Sequence, residues 1–479
     1  MRAIAIGQRD GFGLTADERS RLERHVERAT RRARRRGETL AAVTIPLDPS
    51  VDPLAVITAS RQPGEPWFAL EQPDAEGFAL AAVGCVRAIE DAGADRFKTA
   101  SKAWRSLASE AIADPVDGPR GSGPVAVGGF AFAPRGAASA EWQGFAAASL
   151  HVPEIAIARR AGEARLTVCV LCRPDDDPRA LAAAAADRVE GLRDAPLPLL
   201  DPSPVEAARV ASAMPPEHYV GAVERAVERI RAGELQKVVL AREVLVRAGA
   251  PHDAPAVLGV LREAFPSCFV FAVGRGDKAF VAASPELLVR RQGQRASTLA
   301  LAGTTRRSAD PAVDDHLGEQ LLRSEKEREE QAIVTRRIER TLRPHAVWVA
   351  AADEPVVVKM ANVQHLATPI RAQLRHPVGA VELAGTLHPT PAVGGEPFAA
   401  AEPLIPALEG FDRGWYAGPV GWTDAQEDGE FCVALRSALL HGRDARCFAG
   451  VGVVADSDPQ DELAETEAKL GALLPVLSA

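Results

Sequence analysis

The chain has 479 residues, 47% hydrophobic and 25% charged, and its 56 basic and 65 acidic side chains give a net charge of −9. That length supplies a large buried core, and the acidic balance excludes a general nucleic-acid binder, which needs a basic surface to displace counterions. No apolar run reaches the roughly 18 residues of a membrane span.

The opening residues, Met1-Arg-Ala-Ile-Ala-Ile-Gly-Gln, lack the apolar segment and cleavage site of a secretory leader, so a cytoplasmic protein is expected. Thr15-Ala-Asp-Glu18 has capping-box spacing and opens a polar helix that ends in the basic run Arg31–Arg36. A solvated helix end explains that run without an anion site. Short β-like stretches follow at Ala41–Ile45 and Val125–Phe132. Cys169-Val-Leu-Cys172 has Cys-x-x-Cys spacing but sits in an apolar run with no second pair or His cluster. It reads as two strand thiols buried in the core rather than as a zinc or redox site.

Pro196–Pro204 is the best internal boundary, between an N-terminal half (1–205) and a catalytic half (206–479) of a single domain. Beyond it, His218–Ala232 has helical apolar spacing through Val220, Val223, Val227 and Ile230 and stops at Gly233. Val238–Ala241 then reads as a strand. Strands and helices mix without a βαβ rhythm, so the class is α+β, with sheets covered by helices.

Two stretches put carboxylates where packing would put carbon. In Leu317–Ile338, Val334 and Ile338 mark a buried stripe; Glu327 falls on it and Glu330 on its edge. In the helix that Asp458-Pro459 opens, Glu462 and Glu465 lie over the side that carries Leu470 and Leu473, with Lys469 one turn beyond Glu465. Inward carboxylates are costly unless a cation or donors meet them. Two such Glu pairs could hold one hard divalent ion such as Mg²⁺. Lys237 enters the apolar stretch Leu235–Ala241, where poor hydration of its charged form suits a general base. Glu286, after Ser284-Pro285, suits a general acid if buried. Gly-rich segments at 301–304, 393–395, 416–421 and 449–452 match no nucleotide-binding fingerprint. Residue spacing therefore reaches a metal-assisted acid–base enzyme for a small carboxylate.

Taken in order, nine segments resemble the chorismate-utilising enzymes. They begin with Leu235-Gln-Lys-Val-Val-Leu-Ala-Arg242, Ser284-Pro-Glu286, Leu301-Ala-Gly-Thr304, Ser324-Glu-Lys-Glu-Arg-Glu-Glu330 and Val363-Gln-His-Leu366. The series continues through Leu387–Gly395, Arg413–Trp422, Val433–Ser437 and Ala449–Lys469. The match covers about half the chain; the N-terminal half matches loosely, at Asp52-Pro-Leu54 and Gly128–Phe132. The resemblance implies one large domain with the anthranilate/isochorismate synthase-like fold, a two-sheet β core surrounded by helices.

Within that family the sequence looks most like the isochorismate synthases. These hydrate chorismate at C2 and expel its C4 hydroxyl, and carry lysine where Lys237 stands; the ammonia-using anthranilate synthases usually carry glutamine there. Aminodeoxychorismate synthases have lysine at the position of Ala302. By resemblance, Lys237 is the base and Glu286 the acid. Gly303, Thr304, Arg436, Gly450 and Lys469 would bind substrate, and Mg²⁺ would lie on Glu330 and Glu465 with Glu327 and Glu462 adjoining. The family often has His where this chain has Gln331, which implies an altered surround for the metal glutamates. Chorismate is the expected partner, without a glutamine amidotransferase subunit, and the expected state is a monomer. Salicylate synthase, anthranilate or aminodeoxychorismate synthase and a non-catalytic chorismate-binding relative are the competing readings. The basic and metal groups of the site reconcile a dianionic substrate with a net charge of −9.

Overall fold

Alternation in the strand Phe269–Arg275 sends Phe269, Phe271 and Val273 into one buried cluster and Val270 and Ala272 into another. A strand apolar on both faces must lie in a middle layer, with a second sheet on one side and helices on the other. The computed structural model, which describes residues 11–201, 206–360 and 363–478, has that layering.

Among the described residues, thirteen strands form one sheet and ten the other. The first runs, edge to edge, from Arg209–Ser212 through Lys237–Arg247, Asp444–Val453, Ser437–His441, Lys278–Ser284 and Phe269–Arg275. It continues through Trp67–Gln72, Phe78–Val83, Ile155–Arg160, Glu163–Cys172, Thr39–Leu47 and Ile112–Ala113, and the thirteenth strand, Gly395–Glu396, pairs with Lys237–Arg247 off this path. The second runs from Ala346–Ala351 through Val363–Leu374, Arg295–Arg306, Leu287–Gln292 and Gly429–Val433 to Pro419–Asp424. It ends with Val125–Phe130, Ala148–Val152 and Arg87–Asp91, and its tenth strand, Val356–Lys359, pairs with Val363–Leu374 off this path. Both sheets thus draw strands from either side of the Pro-rich connection, whose residues 202–205 lie outside the described segments, as does the chain start through Asp10.

The sheets meet through aromatic rings. Phe78 of the first stacks on Trp422 of the second with centroids 6.1 Å apart, and Trp142 packs edge-on against Phe280 at 5.3 Å. Helices Ala16–Arg36, Pro53–Ser60, Pro178–Glu190 and Ala254–Ala264 cover the outer face of the first sheet. Helices Arg96–Ser109, Glu325–Leu342 and Ala380–Leu387 cover that of the second. None of the described helices is long and apolar enough to cross a membrane.

Several local expectations hold. Thr15 and Glu18 form a reciprocal capping box, and the basic helix end is engaged by carboxylates: Arg31 by Glu27 at 2.8 Å and Arg32 by Glu110 at 3.4 Å. Cys169 and Cys172 are buried on one strand, and burial pushes the Cys169 thiol up to about 12. Two details differ. Leu317–Ile338 is not one helix: helix Pro311–Arg323 ends at Ser324, whose side chain leaves the helical path to accept from Glu327 N and so starts the helix Glu325–Leu342. Asp461 stands at the spacing that would complete a capping box at the start of the C-terminal helix, but Asp458 alone caps it, accepting from Gln460 N and Asp461 N.

Candidate active site

Two strand features create the cavity. In Arg295–Arg306 the pairing slips between Ala302 and Thr304, and the inserted Gly303 takes φ +74°. A Cβ there would stand 3.0 Å from Glu327 Oε2, so this bulge needs glycine to let helix Glu325–Leu342 approach. The approach gives Glu327 Oε2 the amide of Thr304, at 3.1 Å. In Asp444–Val453, Gly450 and Gly452 alternate onto the cavity face. A Cβ on Gly450 would reach Tyr416 Oη at 2.8 Å, and one on Gly452 would reach Glu330 Oε1 at 2.5 Å and Lys237 Cε at 2.7 Å.

Eight of the eleven residues proposed from sequence line this cavity, and Lys237, Glu327 and Glu462 stand outside its lining. Glu286, Gly303, Thr304, Glu330, Arg436, Gly450, Glu465 and Lys469 line one cavity between the sheets. Lys237 lies just behind its wall, 1% exposed, with Nζ 2.7 Å from Glu330 Oε1. Lys469 is held between Glu465 Oε1 at 2.7 Å and Gly450 O at 3.0 Å. Lys326, on the same helical turn as Glu327, stands 3.5 Å from Glu462 Oε1. The open volume among these side chains is about 50 Å³. A six-membered ring with two carboxylates needs more than that, so lining side chains must shift for such a molecule to enter.

Burial sets the charge state of Glu286. The carboxyl is 2% exposed and is pushed up to about 8, chiefly by desolvation, against the opposing pull of Lys237, Arg436 and Lys469. It is therefore a protonated acid at neutral pH. Its backbone is fixed: Ser284 Oγ donates to Val433 O at 2.5 Å and accepts from Glu286 N at 3.3 Å, and Glu286 O accepts from Val433 N at 3.0 Å.

Arg436 has left-handed backbone, φ +48°, the kind of local cost, roughly 1–3 kcal/mol, that surrounding structure sustains at functional sites. Its Nη2 donates to His365 Nε2 at 2.9 Å. A guanidinium only donates, so His365 accepts at Nε2 and carries its proton on Nδ1, beside Gly303 O at 3.2 Å and Thr304 Oγ1 at 3.1 Å. Burial and the charge of Arg436 hold the imidazole neutral. Sequence reasoning gave His365 no role. Its signal was an imidazole inside an apolar strand, which becomes informative only once Arg436, 71 residues away, is opposite it.

The glutamates fit a divalent cation by their chemistry. Burial first, then the nearby carboxylates of Glu330 and Glu465, push Glu327 up to about 7, and Glu462 is raised for the same reasons. Such mutual repulsion is relieved by a cation among them. With the lysines paired as they are, no three His, Cys, Asp or Glu side chains among the described residues converge as a formed metal cage. Gln331, one turn beyond Glu327 on the same sheet-facing side of the helix, is committed to the strands: its Nε2 donates to Ala300 O at 3.0 Å and Thr368 Oγ1 at 2.9 Å, tying the helix to the sheet.

Behind the cavity lies a buried ion pair. Arg413 binds Glu409 through Nε and Nη2, and donates to Val393 O at 2.8 Å and Val239 O at 2.9 Å, the backbones of two wall residues. Glu409 also accepts from Ala241 N at 2.7 Å.

A buried acid beside lysine and arginine, closed between two sheets, is the equipment of an acid–base enzyme for a small anionic substrate. The chain belongs to the chorismate-binding enzyme family, whose model matches residues 24–478. It is 40% identical over 441 residues to the salicylate biosynthesis isochorismate synthase of Pseudomonas aeruginosa, covering 92% of this chain and 90% of that protein. It is 36% identical to the isochorismate synthase MenF of Bacillus subtilis, over 74% of this chain and 75% of the relative. Among solved structures, the menaquinone-specific isochorismate synthase MenF of Escherichia coli superposes with a TM-score of 0.77 at 27% identity, covering 96% of this chain and 100% of that one. Anthranilate synthase component I from Streptococcus pneumoniae shares the fold, with a TM-score of 0.60 at 20% identity over 92% of each chain.

Proposed function

We propose that this protein is an isochorismate synthase, converting chorismate to isochorismate by adding water at C2 and expelling the C4 hydroxyl. The observation that carries the reading is a pair of buried groups within electrostatic reach of each other: a lysine, and a carboxyl that keeps its proton at neutral pH. Relatives named isochorismate synthase, at 36% and 40% identity over most of the chain, support it.

Lys237 takes a proton from the attacking water as oxygen bonds to C2. The ring double bond shifts, the C4–O bond breaks, and Glu286 delivers its proton to the departing hydroxyl, which leaves as water. One water enters and one leaves, so the reaction is an isomerisation. Arg436, steadied by His365, and Lys469 meet the substrate carboxylates, while the amides at Gly303, Thr304 and Gly450 present backbone close to the ring. Glu330 and Glu465, with Glu327 and Glu462 beside them, would hold Mg²⁺, which would neutralise the ring carboxylate.

The test is product analysis from chorismate, with and without Mg²⁺, EDTA and ammonium, on the wild type and Lys237→Ala. Isochorismate from the wild type, lost in the variant with its thermal stability retained, is expected. Salicylate with pyruvate, an amine formed only with ammonium, or undiminished turnover by Lys237→Ala would each overturn the reading.

A further inference from the structure

A second cavity, sharing no lining residue with the first, lies between helix Pro216–Arg231, strand Lys237–Arg247 and the end of helix Leu404–Glu409. We propose that it is a ligand site for a neutral, single-ring aromatic compound bearing one hydroxyl or amine donor, and that filling it slows the catalytic cavity.

Size and lining select the ring. The cavity holds about 200 Å³ and is walled by Met214, Pro215, Ala222, Leu240, Leu408 and Phe411. An apolar cavity of about 150 Å³ suffices for benzene. The charges at its edge exclude an ionic ligand, because each is already matched. Glu409 is held by Arg413 and Ala241 N; Arg242 by Glu467, by Thr466 Oγ1 at 3.1 Å and by Ser212 Oγ at 2.6 Å; and Glu243 by Arg446 at 2.7 Å. A charged guest would be desolvated without a counter-ion. One acceptor remains. His218 Nε2 lies 3.0 Å from Leu408 O and must be the donor there, which leaves the Nδ1 lone pair without a protein partner among the described residues.

Coupling runs through three rings. Phe411 lines this cavity and stacks on Phe448 at 6.1 Å and 21°; Phe448 stacks on Tyr416 at 5.2 Å and 22°. Phe448 and Tyr416 both line the catalytic cavity. A guest that presses Phe411 outward therefore presses into a space that already has to widen for substrate, so it should inhibit. Close-packed interiors transmit such shifts rather than absorb them.

Phenol is the probe, titrated by calorimetry and by ligand-observed NMR into the full-length protein, in the presence and absence of chorismate. Saturable binding near 1 mM is expected for so small a ligand. Chorismate should weaken it without abolishing it; by the reciprocity of linkage saturating phenol should weaken chorismate binding by the same factor, at least about threefold, and kcat/KM should fall with it. Ala222→Phe fills the ring space, and Met214→Trp closes the half-exposed mouth from a position that need not disturb the core. Either should abolish phenol binding and any further inhibition by phenol; Met214→Trp, which leaves the ring space empty, should keep phenol-free turnover within about twofold, whereas Ala222→Phe, which occupies that space as the guest would, should itself lower kcat/KM about threefold. Absence of saturable binding, binding indifferent to both variants, full displacement by chorismate, or unchanged turnover at saturation would each overturn the proposal. The binding arm needs no catalysis, so it stands apart from the test of isochorismate formation.

Discussion

Replacing Glu286 by glutamine removes a titration that the fold opposes. Burial raises this carboxyl from 4.5 to about 8, so between those values the folded protein keeps a proton that the unfolded chain has released. The unfolded state then binds fewer protons, and stability must fall as pH rises through that window. At 1.36 kcal/mol per pH unit, the interval costs the wild type on the order of 4 kcal/mol by pH 9 relative to pH 5. Glu286→Gln has no such loss. Urea unfolding of both proteins at pH 5, 7 and 9 isolates the effect, since every other titrating group is common to the pair. The wild type should lose ground to the variant steadily with pH, most of it between pH 5 and 8. The same proton is the one given to the leaving hydroxyl, so kcat/KM should drop tenfold per pH unit above about 8, and the variant should be inactive throughout. A stability difference that does not move with pH would refute the assignment of Glu286 as a buried, protonated acid.

Gly452→Ala introduces a Cβ 2.5 Å from Glu330 Oε1 and 2.7 Å from Lys237 Cε. It should push the lysine off its position and cost at least tenfold in kcat/KM, about 1.4 kcal/mol, with little change in far-UV circular dichroism. Glu330→Gln and Glu465→Gln should each weaken Mg²⁺ binding in calorimetry of the substrate-free protein by tenfold or more; wild-type affinity in both would remove these residues from the metal site. Arg413→Met leaves Glu409 as an uncompensated buried charge and frees the carbonyls of Val239 and Val393. A loss of about 3–5 kcal/mol in chemical denaturation is expected, and a loss below 1 kcal/mol would show that the pair is not structurally important.

Features carried by a few adjacent residues were readable from sequence. Thr15 and Glu18 announce a cap, Asp458 followed by Pro459 announces a helix start, and the inward spacing of Glu327, Glu330, Glu462 and Glu465 is visible as carboxylates standing over apolar neighbours. What depends on chain-distant partners was not. Lys237 and Glu330 are 93 positions apart, and only the sheet brings them to 2.7 Å. The break at Ser324 was hidden because the residues on both sides are good helix formers, while the decisive bond, from Glu327 N to the serine hydroxyl, competes with helix continuation by a small margin. Gln331 was expected to alter the surround of the metal glutamates; its amide is committed to Ala300 O and Thr368 Oγ1, one turn further along the helix from Glu327. His365 stayed silent because its meaning lies in a tautomer, and a tautomer is set by neighbours.

The interleaving of the two halves bears on how the molecule is made. Val270 pairs with Glu71, and Val420 with Gly129, so the centre of each sheet is closed only across very long stretches of chain. A nascent chain released as far as the Pro-rich connection carries two unfinished sheets, with the edges at Trp67–Gln72 and Val125–Phe130 still unpaired. Such edges invite pairing with other chains until the later strands arrive. Folding of this topology is dominated by distant contacts and is correspondingly slow. Separately expressed halves should therefore be poorly soluble alone yet able to complement each other, and the catalytic groups come together only after both have been synthesised.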